Sequence, residues 1–131
     1  MIIITRMKII KQRHHIQATT EEVYTALTNP FTIELWSGYP AQMSTEPGSE
    51  FSMFEGDIVG KNLKFEPNVL IRQQWYFEGE EAESIVTIRL KPEKNNTVAE
   101  LTHENVPEEV VEEMTEGWKK IYFGSLKNFF K

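Results

Sequence analysis

The chain has 131 residues, of which 40% are hydrophobic and 26% charged, the size and composition of one globular domain with a core of its own. A net charge of -6 and scattered basic residues exclude the electrostatic footprint of a nucleic-acid binder, because an acidic surface repels phosphate. No cysteine is present, which excludes disulfides, thiol nucleophiles and thiolate metal ligands.

The opening apolar run, Ile2 to Ile4, is soon followed by Arg6 and Lys8. It is too short for a signal peptide or a membrane span, so a cytoplasmic location and a single domain over residues 1–131 are expected. Arg6 to Gln17 predict a first strand. In "ATTEEVYTALTNP", Thr19 and Glu22 have the spacing of a capping box and predict a helix that Pro30 stops. Phe31 to Trp36 predict a second short helical piece ending at "SGYP".

Five strand-like runs follow: "SEFSMF", "DIVGKNLKF", "VLIRQQWYF", "SIVTIRL" and "TVAELTHE". Turns at Glu55-Gly56 and Pro67-Asn68 make hairpins of the first three. A short run from Ala41 to Ser44 is expected to add an edge strand. Val69, Ile71, Trp75 and Phe77 share one face of their strand, while Arg72, Gln74 and Tyr76 share the other. The apolar parity switches between Ile58 and Leu63, which predicts a β-bulge at Gly60. Glu80, Glu81 and Glu83 read as a solvated loop.

After Pro107 the pattern predicts one long helix, with Val111, Met114, Trp118, Ile121, Ser125 and Phe129 on its apolar stripe. Glutamates crowd its start and lysines its end, as the helix dipole favours. Gly117 and Gly124 interrupt it, each at a cost of about 1 kcal/mol relative to alanine. They sit one heptad apart, and the spacing allows either close helix-on-sheet packing or a widened pocket mouth. The plan is α+β: a strand, a short helical pair, six to seven antiparallel strands in all, and a terminal helix that the sheet wraps.

Chemistry is sparsely signalled. His14 and His15 are adjacent in a strand and point to opposite faces, so they cannot chelate one metal, and no metal or cofactor is expected. His103 shares parity with Ala99 and Leu101 on the apolar face, as a core hydrogen-bonding group, a cavity handle or a proton shuttle. Asp57 is the one aspartate and lies at a hairpin turn, and no glycine-rich phosphate loop follows a strand.

The segments "TTEEVYTALTNP", "FEGDIVGKNLKFEP", "VLIRQQWYF", "LTHENVPEE" and "GWKKIYFGSLKNFF" come in an order and spacing that resembles the C-terminal domain of the activator of the heat-shock protein 90 ATPase and its stand-alone bacterial relatives. The resemblance runs from about Lys8 to Phe130. It implies a helix-grip fold of the START/Bet v 1-like SRPBCC superfamily, whose sheet and terminal helix enclose a cavity for an apolar ligand. It supplies no universal catalytic motif. The expected lining is Trp36, Phe51, Ile71, Gln73, Trp75, His103, Gly117, Trp118 and Ile121, three of them tryptophans from the helical pair, the sheet and the terminal helix. The first expectation is therefore a non-catalytic domain that binds an apolar small molecule or is chaperone-associated. The alternatives are a co-chaperone module stimulating a heat-shock protein 90 homologue, and a cyclase-like or hydrolase-like enzyme using His103.

Overall fold

Strand β1 (Met7–Ile16) leads into helix α1 (Thr20–Thr28), and the capping box is formed. The Glu22 N–H donates to Thr19 Oγ1 at 3.2 Å, and the Thr19 N–H donates to Glu22 Oε1 at 3.0 Å. Pro30 ends α1 by opening α2 (Pro30–Ser37), since its missing N–H is one the first helical turn leaves unused. The Asn29 side chain caps that turn by accepting from the N–H groups of Phe31 and Thr32. Gly38, at φ 86°, terminates α2. The computed structural model describes residues 6–79 and 82–131. The Ile2–Ile4 run and, from the expected acidic loop, Glu80 and Glu81 lie outside the described residues.

Five further strands complete a six-stranded antiparallel sheet: β2 (Glu50–Met53), β3 (Ile58–Glu66), β4 (Leu70–Trp75), β5 (Ser84–Glu93) and β6 (Asn96–Pro107). Their order is β1-β6-β5-β4-β3-β2, so the chain's first and last strands pair and the hairpins follow outward. The run expected at Ala41–Ser44 contributes a single bridge, Gln42 to Ser52, and not a seventh strand. Beyond it, the Asn62 side chain takes the carbonyl of Ser44 at 3.0 Å, satisfying it without a partner strand.

The expected bulge is displaced. Register shifts between Asn62 and Lys64, which leaves Leu63 as the extra residue, while Gly60 stays paired with Trp75. Gly60 has another reason to be glycine. A Cβ there would overlap the carbonyl oxygen of Gln74 and lie 2.8 Å from Phe51 Cε1, so two strands and a core ring close on its bare backbone.

The terminal helix is built in pieces. A turn at Glu108–Val110 precedes α3 (Val111–Glu116), a π-helical turn occupies Gly117–Tyr122, and α4 (Phe123–Phe129) completes it. Within the π turn the Phe123 N–H donates to the Trp118 carbonyl, five residues back. The wider turn shifts the phase of everything beyond it. Trp118, Tyr122, Phe123 and Leu126 are therefore the buried residues, whereas Ile121 is 58% and Phe129 41% exposed, contrary to the stripe expected from a regular helix.

Tyr122 lies at the centre of the aromatic core. Its ring centroid is 5.3 Å from Trp36, 6.4 Å from Phe54, 6.3 Å from Trp75 and 4.6 Å from Trp118. It thereby joins α2, the β2–β3 turn, the sheet and its own helix, which is where aromatic area contributes most to packing. Gly60→Ala should destabilise the fold by roughly 3 kcal/mol through strand separation, because the opposing group is backbone and cannot rotate away. Urea unfolding checks this, and a loss below about 1 kcal/mol would show that the strands yield easily.

Candidate functional site

The last residues of β4 and those just after it, the β2–β3 turn and the first half of the terminal helix do not close on one another. They leave an open groove of about 360 Å³. Its apolar wall is made by Trp75 and Phe77 from the sheet side, Phe54 and Ile58 from the turn, and Met114 and Trp118 from the helix. Gly117, Ile121 and Tyr122 also border it, and Asp57, Glu78 and Glu113 are its charged members.

The turn that delivers Phe54 is unusual. Phe54, Glu55 and Gly56 have φ values of 53°, 55° and 86°, three consecutive left-handed residues of which only the last is glycine. A bulky residue in that region is strained. Burial holds it there, with Phe54 edge-on to Trp36 at 5.9 Å and tilted against Tyr122.

Of the residues expected to line a cavity, Trp75, Gly117, Trp118 and Ile121 come together at this groove. The other five are core residues away from it. Trp36 donates its indole N–H to the Ala26 carbonyl at 2.7 Å, bracing α2 on α1. Phe51 and Ile71 are buried in the core. Gln73 accepts from the Trp75 indole N–H at 3.1 Å and donates to Asn62 Oδ1 at 3.0 Å, so its amide positions a tryptophan.

His103 is fully buried at 0% exposure, and both ring nitrogens are engaged. The Trp118 indole N–H donates to Nδ1 at 3.0 Å. Nδ1 is therefore the acceptor nitrogen and the proton of the neutral ring sits on Nε2, which faces Ser84 Oγ at 2.8 Å. Ser84 passes the chain on to the Glu104 carbonyl at 3.1 Å. Protonating His103 would set an N–H against the Trp118 N–H in a dry site, and burial lowers its pKa from 6.5 to about 4. This is a satisfied core histidine, and a proton shuttle has no free nitrogen to use.

His14 is buried too, stacked on Phe123 at 4.2 Å and bonded through Nε2 to Gln12 Oε1 at 2.7 Å. Its Nδ1 has no partner among the described residues. Burial, then Lys127 and Lys119, lower its pKa to about 4. His15 is exposed on the opposite face. Among the described residues no three His, Asp or Glu side chains gather as a metal site.

Tyr122 belongs to the groove without having been expected there. Burial pushes its hydroxyl pKa up, and that hydroxyl makes no hydrogen bond among the described residues. The groove members from the β2–β3 turn were equally unexpected, since no periodic signal marks a turn residue as a pocket wall. The aromatic directly before the Glu55-Gly56 turn was the available clue.

Both imidazoles bind protons less readily folded, at about 4, than at their ordinary 6.5. The unfolded chain therefore takes up more protons between those values, and stability is complete above pH 6.5 and falls as pH drops toward 4. His103 alone should contribute roughly 3 kcal/mol to that loss. Urea unfolding across this range should show it, with a shallower slope in His103→Gln, which keeps an acceptor for Trp118; an unchanged slope would contradict the assignment.

Comparison with known proteins follows the same lines. The family model "Activator of Hsp90 ATPase homolog 1-like protein" matches residues 17–131. The mouse activator of 90 kDa heat shock protein ATPase homolog 1 is 27% identical over 112 residues, covering 84% of this chain and 33% of the relative. The chain thus spans about a third of the length of that curated relative. Among solved structures, an HSP90 activator from Plasmodium falciparum superposes with a TM-score of 0.83 at 25% identity, covering 92% of this chain and 94% of that one. The Aha1 dimer from Colwellia psychrerythraea gives 0.83 at 25% identity, covering 95% and 96%. The helix-grip fold, with its six-stranded sheet and long C-terminal helix, and the family match agree: the chain belongs to the Activator of Hsp90 ATPase homolog 1-like family.

Proposed function

We propose that residues 1–131 act as one cytosolic domain that binds an apolar small molecule in the groove between the end of β4 and the terminal helix. The observation that carries this reading is Gly117. Its backbone is ordinary right-handed helix, at φ -60° and ψ -44°, and a Cβ there would meet nothing within 4 Å. Neither conformation nor close packing requires glycine, yet glycine in a helix interior costs about 1 kcal/mol. What its missing side chain keeps open is the groove it borders. Gly124 differs: a Cβ there would lie 3.1 Å from the Lys119 carbonyl oxygen, a contact created by the π turn.

The two glycines therefore separate in experiment. Gly117→Ala should stabilise the protein by up to about 1 kcal/mol. Gly117→Phe should fold as well and fill the groove, abolishing the rise in melting temperature that an apolar ligand produces by binding only the folded state. Thermal shift across aromatic and acyl compounds reads this out. Equal shifts in Gly117→Phe and the parent would remove the groove from consideration.

A second reading is a module that stimulates a heat-shock protein 90 homologue, supported by the family and by one surface. Phe31 and Leu35 stand one turn apart on α2 at 78% and 70% exposure, and Tyr39 follows them at 41%. Such side chains are the usual anchors of a protein contact. If they serve that purpose, Phe31→Ser with Leu35→Ser should abolish stimulation of the chaperone's ATPase while leaving the melting temperature within a few degrees. Full stimulation by the double variant would rule this surface out.

A further inference from the structure

Resting on the groove reading, we infer that the ligand is an organic cation: a flat or branched apolar body carrying an ammonium or amidinium group. Among the described residues, every charged residue that borders the groove is acidic, Asp57 from the β2–β3 turn, Glu78 after β4 and Glu113 from α3. They come from three separate parts of the chain, and each borders this opening. Among the described residues no lysine or arginine lines it, so a carboxylate or phosphate ligand would meet like charge without a counter-ion.

The wall between these carboxylates suits the same charge. It is largely aromatic, with Trp75 and Trp118 stacked at 4.5 Å and Phe54, Phe77 and Tyr122 beside them, and Ile58, Met114 and Ile121 complete it. Aromatic faces carry negative charge density and attract a desolvated cation, indoles most strongly. The third observation is Tyr122. It is only 4% exposed, it borders the groove, and its hydroxyl oxygen has no hydrogen-bond partner among the described residues. That oxygen is an acceptor that a ligand N–H in the groove can use. Apolar walls, an acceptor and carboxylates at the opening give a cationic head somewhere to sit and its apolar body somewhere to go. The volume of about 360 Å³ lies at the small end of ligand pockets, so the occupant is compact.

The test uses three probes of one shape and different charge: naphthylmethylammonium, naphthylmethanol and naphthoate. Calorimetric titration at low salt should give the cation about tenfold tighter binding than the alcohol, and naphthoate the weakest. Raising the salt should narrow the gap, because exposed carboxylates are screened. Asp57→Asn with Glu113→Gln should reduce the cation's advantage several-fold while leaving the alcohol unchanged, and Gly117→Phe should block all three. Equal binding of the three probes, still blocked by Gly117→Phe, would overturn the charge assignment and leave the groove standing. Binding of none at millimolar concentration, or binding that Gly117→Phe does not affect, would overturn both.

Discussion

The arrangement depends on one buried contact, the Trp118 indole donating to Nδ1 of His103. It ties the terminal helix to β6 at a single rotational setting, because an indole N–H has one direction and an imidazole acceptor one lone pair. Unmet polarity in a dry interior costs about 1–3 kcal/mol per group, so neither ring can turn without loss. The Trp75 indole stacks on Trp118 and is itself held by Gln73 and Asn62. Two polar chains, one from β6 and one from β3 and β4, thus position the pair of indoles that borders the groove. The space beside them is left by a helix whose seat is fixed elsewhere.

The π turn follows from the same demand. The spacing suggested Ile121, Ser125 and Phe129 as the inward residues beyond Trp118. Instead the core receives Tyr122, Phe123 and Leu126. Tyr122, one turn on from Trp118, reaches both Trp36 and Phe54, and the widened turn brings Phe123 to the same face, 5.8 Å from Trp118. Strain at Phe54, the widened turn and a helical glycine without packing need all fall around the groove.

Much of this could be read from residues alone, because local rules agreed with the tertiary result. The capping box of Thr19 and Glu22, the prolines and glycines at turns, and the period-two burial of β4 and β6 each have one structural meaning. The misses have physical causes. Gly60 was read as a bulge because glycine in a strand serves both bulges and close approaches, and only the position of Gln74 tells them apart. The segment at Ala41–Ser44 has strand-like residues, but a side chain took its next carbonyl. The helical stripe failed since a 3.6-residue period was assumed across a turn that does not keep it. At the site, Trp75, Gly117, Trp118 and Ile121 were accessible as tryptophans and irregularities of the helix. His103 and Gln73 looked like cavity handles because parity gives a side chain's face, while their partners decide whether any polarity is left over.

The π turn has one more consequence, for how relatives of this protein can be compared. It amounts to one residue more than an α-helix would use over the same rise, so it is an insertion stored inside a helix. Removing a residue between Gly117 and Tyr122 would let the stretch close as an ordinary α-helix, with the last seven helical positions keeping their faces toward the sheet. Chain length in this short stretch can therefore differ by one without changing what the helix buries beyond it. Two relatives of equal fold that differ there by one residue, one with the π turn and one with a regular helix, would present the same downstream side chains to the core.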